Sequence, residues 1–528
     1  MYDAIVVGGG IAGLTASAYL SQSGYKTLLL EKESKCGGLI SSFEREGFTF
    51  DNGIRAIENS GILFPMIRQL GLDLELLKNP ISLGIEDKVV WINSVEDIKK
   101  YQSLLSSIYP QNCNEVQEII DEIKKIMKYM EVLYGIENPA FRDLSKDMNF
   151  LFTKILPWAF KYIFTVPKIN KLNIPVVPFL EKYTQNRALI DIIAQHFFKD
   201  TPTYFALSYL KIYLDYYYPK GGTGMLPQKL ISYIEKNGGT IHTDTRVTSI
   251  NPIKKYLMDS KDNKYDYRQM IWAADQNSLY SMIHPDIFQE DDIKQAVAKK
   301  QASLIGKLGN DSIFALNIAV NIEPKYFTAK NSGHFFYTPS RQGLTSCGEA
   351  PLNSEKKVII DWLRNFSSLT TYEISIPVLR DPSLAPSGKT GLMISTLFDY
   401  HLTKKIFDQG WYNEFRYLFE DMIIDVLNKT IYPGIVNSII YRFSSTPISF
   451  ENRTANTHGA ITGWAFTNNP MPAENRLVSI NNSTETPIPD VIQAGQWTYS
   501  PSGLPISILT GKLAADRVLT NLKKEIKS

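Results

Sequence analysis

A chain of 528 residues with 44% apolar and 21% charged residues is long enough for two domains and a large core, and that balance excludes a disordered protein. A formal net charge of +2, with no dense run of Lys and Arg, excludes nucleic acid as the expected partner. The three cysteines, Cys36, Cys113 and Cys347, stand far apart without a C-x-x-C pair, so no disulfide framework and no metal site is expected.

The chain opens on YDAIVVGGGIAG, residues 2–13. Residues 4–7 form a short apolar, partly β-branched run that reads as a buried parallel strand. Gly8, Gly10 and Gly13 then take the G-x-G-x-x-G spacing, followed by helix formers over 14–22. In that spacing Gly8 permits a tight turn, Gly10 lets a pyrophosphate approach bare backbone, and Gly13 brings helix and strand together. The helix start turns unpaired N–H groups and its positive dipole end toward the phosphates. A second strand over 26–30 ends at Glu31, near the offset at which a carboxylate takes the ribose hydroxyls. Cys36-Gly37-Gly38 follows, and then Phe48-Thr49-Phe50-Asp51-Asn52-Gly53. Cys36 is read as a small gap-filling residue rather than a reactive thiol. Nothing before the first strand has the form of a secretory signal, and no apolar run reaches the roughly eighteen residues that span a bilayer. The expected location is therefore cytoplasmic, either soluble or peripheral on one membrane face.

With these three motifs in order the chain resembles the FAD-dependent amine-oxidase and phytoene-desaturase superfamily. The resemblance implies an FAD held by Gly8, Gly10, Ile11, Ala12, Gly13, Glu31, Lys32, Gly37, Gly38, Leu39, Asp51 and Gly53. It also implies an α/β fold: a discontinuous Rossmann-like FAD domain with a mixed-sheet and helical substrate domain. The expected segments are 1–93, 216–276 and 456–528 for the FAD domain, and 94–215 and 277–455 for the substrate domain. Arg55, just past the Asp51 turn, is read as a salt-bridge residue, the alternative being a role in fixing an acceptor or a phosphate.

Residues 60–70 read as a helix capped by Gly71, and 89–93 as a strand. Over 94–137 the apolar positions Ile119, Ile120, Ile123, Ile126, Met127 and Met130 recur at helical spacing. Residues 149–180 interleave Trp158, Phe160, Tyr162 and Phe164 with Lys154, Lys161, Lys168 and Lys171, while Pro157, Pro167, Pro175 and Pro178 are expected to interrupt any long helix. That composition suits either a peripheral membrane patch or a buried helix pair capping a substrate tunnel. Residues 204–218 read as helical and aromatic, with Tyr216, Tyr217 and Tyr218 lining a pocket or packing. The turn 219–225 leads to a helix over 226–236, then to strands at 240–242 and 245–250. By the resemblance, Val247 holds the adenine through its backbone, and Ala274 stands where the strand from 269 passes the flavin. Strands are expected at 313–322 and 392–397, and a helix at 411–427.

A last strand, 490–495, runs into Gly495 and Gln496, and Gly503-Leu504-Pro505 then opens a helix over 506–522. In the superfamily that helix start faces the N1–C2 edge of the flavin, where a helix dipole stabilises negative charge. Gln496 replaces an acidic residue common at its place. A single dinucleotide fold implies an oxidase or dehydrogenase handing electrons to quinone or oxygen, or an isomerase or saturase with no net acceptor. The resemblance is nearest to the branch of phytoene desaturases, carotene isomerases and retinol saturases. It implies chemistry at a carbon–carbon bond of a long apolar isoprenoid or polyene lipid. Amine or porphyrinogen oxidation is the alternative enzyme reading, and a non-catalytic flavin-binding membrane protein the alternative of another class. No catalytic side chain is assigned. His196, His242, His334 and His458 are read as packed or surface histidines, with His458 and Trp464 first to be substituted.

Overall fold

The structure, a computed structural model, describes residues 1–142 and 147–527, without the side chains of 526 and 527. Its first sheet has five parallel strands in the order Thr240–His242, Thr27–Leu30, Tyr2–Val7, Lys264–Trp272, Val491–Gln493. An antiparallel ribbon, Val247–Asn251 and Tyr256–Asp259, extends it from the start of Lys264–Trp272. The opening strand is buried on both faces, which is why it reads as an unbroken apolar run rather than an alternating one. Ala4 and Val6 face a helical layer made of Ile11–Gln22, Met225–Lys236 and Leu504–Lys527. Ile5 and Val7 face the opposite layer, with Trp272, Tyr280 and Trp464.

The helical layer is packed backbone against backbone. A Cβ added at Gly13 would stand 1.9 Å from the Gly8 carbonyl oxygen, and one at Gly511 would stand 2.4 Å from that of Ala12. Glycine is required at both places by distance, not by backbone angle.

The second sheet runs Ile439–Ser445, Ser312–Val320, Thr390–Phe398, Tyr372–Ser375, His334–Thr338, Ile81–Ile85, Lys88–Ile92. All neighbours are antiparallel except His334–Thr338 with Ile81–Ile85. Residues 81–92, grouped with the first FAD segment by the sequence reading, thus complete the other sheet. Two-residue alternation divides its strands. Phe335, Tyr337, Tyr372 and Ile374 enter a core capped by the helices Lys356–Leu369 and Tyr412–Lys429, while His334 and Glu373 turn the other way.

A helical lobe holds Ile98–Ile108, Cys113–Tyr134 and Arg187–Ala194, with the apolar stripe of residues 119–130 buried as its spacing predicts. Two expectations fail here. Residues 148–170 form one helical path despite Pro157 and Pro167. A widened π turn at Leu151–Ile155 immediately precedes Pro157, which lies inside the path and removes one of its N–H donors without ending it. Pro167 lies near the end of that helix, so few bonds are lost. Residues 204–218 are not one helix. After the short helices Thr203–Ala206 and Tyr209–Tyr213 the chain extends, and Tyr216–Pro219 becomes the central strand between Ile57–Glu58 and Leu76–Lys78. Cross-strand pairing of β-favouring tyrosines overrides the helical reading.

Candidate active site

The register of the parallel sheet sets Val7 level with Leu30 and Trp272, Leu30 level with His242, and Trp272 level with Gln493. The carboxyl ends of all five strands therefore finish in one row, the place where doubly wound sheets bind ligands. A cavity of about 1200 Å³ opens along that row and continues between the two sheets to the helical lobe. It exceeds the roughly 300–1000 Å³ of a single-ligand pocket, leaving space for a second molecule beside a dinucleotide.

At the strand end Gly8 has φ +106°, a left-handed turn open to glycine, and the helix Ile11–Gln22 starts after Gly10. A Cβ on Gly10 would meet no protein atom within 4 Å, so the space beside that backbone belongs to the cavity. Ile11 and Ala12, at the helix start, line it too. Glu31, almost fully buried, accepts from the Gly9 N–H at 2.6 Å and the Glu33 N–H at 2.8 Å. Burial pushes its pKa up even so. Its carboxylate anchors the glycine loop and keeps lone pairs for a ligand hydroxyl, since each oxygen can accept twice. Gly37, Gly38, Leu39, Gly53, Val247, Ala274, Gly495, Gln496, Gly503 and Leu504 also line the cavity. The second helix start, at Leu504, therefore reaches it as well.

Several expected residues sit differently. Lys32 reaches the cavity wall, but its ammonium pairs with Glu33 and caps the carbonyls of Asn452 and Arg453 at the end of the helix Pro447–Thr454. Gly13, Asp51 and Pro505 are not among the lining residues. Asp51 is buried and accepts from the Ser42 hydroxyl at 2.6 Å, the Tyr218 hydroxyl at 2.8 Å, and the Thr223 N–H and hydroxyl at 3.0 and 2.9 Å. It pins the loop after the second motif to the turn at 221–225. The Cys36 thiol lines the cavity but is pushed up to about 12 by burial, then by the Glu31 and Glu235 carboxylates, which opposes a reactive thiolate. His458 Nδ1 accepts from the Gly309 N–H at 3.1 Å, and Trp464 Nε1 donates to the Trp497 carbonyl at 3.0 Å. Neither lines the cavity.

At the opposite end sequence reasoning named Arg55, Tyr216 and His334 singly, and missed Glu58, Glu373 and their meeting in one cluster. There the walls are Phe198, Phe205, Tyr209 and Tyr216, with four ionisable groups, Arg55, Glu58, His334 and Glu373. Glu58 pairs across strands with Tyr216, whose ring stacks on His334 at 5.5 Å between centroids. His334 Nε2 stands 2.9 Å from Glu373 Oε1. Burial holds the imidazole below its usual range, so Nε2–H donates to the carboxylate. Burial works against the Glu373 anion, but the His334 hydrogen bond and the Arg55 charge hold its pKa low. The Glu58 carboxyl has no hydrogen-bond partner among the described residues. It is pushed up to about 7 by burial, then by the Asp215 carboxylate. One of its oxygens lies 3.9 Å from where a Cβ on Gly503 would be, beside the start of the last helix. Arg55 is 3% exposed and forms no ion pair among the described residues, against the salt bridge expected of it. Its Nε donates to the Gly53 carbonyl at 3.2 Å and its Nη1 has no partner. The signal available in the sequence was Arg-x-x-Glu running from the Asp51 turn into the strand Ile57–Glu58; nothing there shows that His334 and Glu373 meet it.

The family model for flavin containing amine oxidoreductases matches residues 11–519. The chain belongs to that family. It is 23% identical to a chloroplastic prolycopene isomerase of Daucus carota, over 100% of this chain and 81% of the relative. It is 22% identical to a lycopene-forming phytoene desaturase of Pantoea ananas, over 99% and 100%. An oxidoreductase from Methanosarcina mazei has the same fold, with a TM-score of 0.60 at 14% identity over 98% of this chain and 100% of that one. The protein is an FAD-dependent oxidoreductase with an α/β FAD-binding fold. The open flank of Gly10, the two helix starts and the Glu31 carboxylate fit the diphosphate and ribose of that cofactor.

Proposed function

We propose that the protein acts on a carbon–carbon bond of a long apolar lipid, an isoprenoid or polyene, by desaturation, isomerisation or saturation. The observation that carries this reading is the aromatic end of the cavity, continuous with the FAD-binding end, in a chain similar over nearly its whole length to a prolycopene isomerase and a phytoene desaturase. Bound FAD supplies the hydride exchange. The chain's part is to hold the reacting carbons against the flavin and exclude water, with Phe198, Phe205 and Tyr209 packing the lipid. Electrons that leave go to quinone or oxygen.

We further propose that residues 149–180 rest on a membrane face. Support comes from the helical path 148–170, where Met148, Phe152, Leu156, Phe160, Ile163 and Phe164 are all at least half exposed and recur every three or four residues. Lys154, Lys161, Lys168 and Lys171 are exposed beside them. No helix among the described residues is long and apolar enough to cross a membrane.

The test is anaerobic incubation of the holoprotein with phytoene, retinol and related lipids, watching flavin and lipid spectra together. Change in both supports the reading. No change with any lipid, alongside peroxide release from amines in air, replaces it with amine oxidation.

A further inference from the structure

The charged end of the cavity is poorly suited to a pure hydrocarbon. Arg55 and Arg380 interact there with the carboxylates of Glu373 and Asp51, two cations against two anions. The two arginines are used differently. Arg380 lies outside the cavity lining, its Nη1 donating to the Arg55 carbonyl at 3.1 Å and to Asn79 Oδ1 at 3.3 Å, and its Nη2 to the Ser375 hydroxyl at 2.5 Å. It holds the wall together. Each arginine leaves one buried nitrogen without an acceptor, Nε of Arg380 and Nη1 of Arg55, but of the two it is Arg55 that lines the cavity. A hydrocarbon filling this end would strip water from the unpartnered Glu58 carboxyl and offer the Arg55 guanidinium no acceptor.

We propose that Arg55 is a specificity residue whose guanidinium, where it lines the cavity, donates a hydrogen bond to a hydroxyl or carbonyl oxygen carried by the lipid substrate, so that the protein selects an oxygenated lipid over a hydrocarbon. The balanced charges around it favour a neutral oxygen over a carboxylate. Glu58, three residues on in sequence and also on the cavity wall, supplies a second polar group at this end. The inference rests on the lipid reading above and narrows it.

The test compares dissociation constants of retinol, retinal and the hydrocarbon anhydroretinol for the FAD-loaded protein, by quenching of its tryptophan fluorescence, with menadione as a quinone control. The wild type is expected to bind retinol or retinal about tenfold or more tightly than anhydroretinol. Arg55→Lys keeps a buried cation opposite Glu373 but withdraws the guanidinium fork. It is expected to reduce that preference to about threefold or less, leaving hydrocarbon affinity and flavin content as in the wild type. Equal binding of all three retinoids by the wild type overturns the proposal and needs no variant. A preference that survives Arg55→Lys overturns it too. Loss of FAD from the variant would assign Arg55 to the cofactor, and an arginine-dependent menadione site without retinoid preference would assign it to the electron acceptor; either result overturns the proposal. Failure of every retinoid to bind removes the lipid reading itself, a result distinct from indiscriminate binding.

Discussion

The two ends of the cavity are built by opposite means. At the glycine loop the chain offers backbone N–H groups, helix starts and one bare flank at Gly10. Nearly all of this lies within the first 53 residues. At the far end it offers side chains, Arg55, Glu58, Tyr209, Tyr216, His334 and Glu373, brought together from two sheets and the helical lobe. A cofactor common to many proteins is held by geometry that recurs as a motif. What distinguishes this protein's own substrate is held by a cluster that only the tertiary structure assembles.

The sharpest way to break the comparison is at Gly13, which is not part of the cavity at all. Gly13→Val places a branched side chain where even a Cβ would lie 1.9 Å from the Gly8 oxygen, so helix and strand must separate. The expected cost is about 3 kcal/mol or more, seen as loss of soluble, yellow protein. Gly10→Val is the counterpart. Gly10 sits at φ −72°, ψ 178°, extended backbone that valine adopts freely, and a Cβ there meets nothing. Apoprotein melting should stay within about 1 kcal/mol of wild type while FAD affinity falls by about 100-fold, or about 3 kcal/mol. If the apoproteins of both variants melt alike, the division between packing glycine and ligand glycine is wrong.

The same contrast governs how much could be read from the sequence. The opening strand, the first helix, the Gly71 cap, the strand at 240–242 and the last helix all appear where local patterns place them, because each is a short-range signal. Asp51 shows the limit. The motif reads it as a cofactor residue, yet its carboxylate binds nearby Ser42 and also Tyr218 and Thr223, the last two a partnership across about 170 residues that no local pattern contains. Residues 216–218 read as helical because the pairing partners of the strand Tyr216–Pro219, Ile57–Glu58 and Leu76–Lys78, lie more than 130 residues earlier. His334 and Glu373 stand 39 residues apart on neighbouring strands, and alternation alone turns both toward the cavity.

Glu58 supplies a pH-dependent test of the far end. A carboxyl with a pKa of about 7 in the native state, raised from 4.5, retains a proton between those values that the unfolded chain has released. The native state binds more protons in that window, so stability falls as pH rises through it and stays lower above 7. Glu58→Gln removes this loss. The apoprotein variant should gain about 1–3 kcal/mol relative to wild type at pH 8, and much less at pH 5, by denaturant melts. A difference independent of pH would mean that Glu58 is already ionised in the native cavity.

The smallest effect on stability is expected outside the cavity, where the exposed helix 148–170 poses the converse of the buried cluster: apolar groups in water rather than charged groups out of it. Phe160 and Phe164 are 68% and 58% exposed, and their rings touch each other at 4.9 Å between centroids. Replacing both by glutamate removes little packing, so melting should shift by no more than about 0.5 kcal/mol. Flotation with vesicles containing anionic lipid should nevertheless fall sharply, since the change deletes apolar anchors and sets two negative charges beside Lys161 and Lys168. If the wild type ignores such vesicles at low salt, the helix does not dock on a membrane. If the double variant floats as well as the wild type, the lysines act without the aromatic face, and added salt should then abolish binding in both.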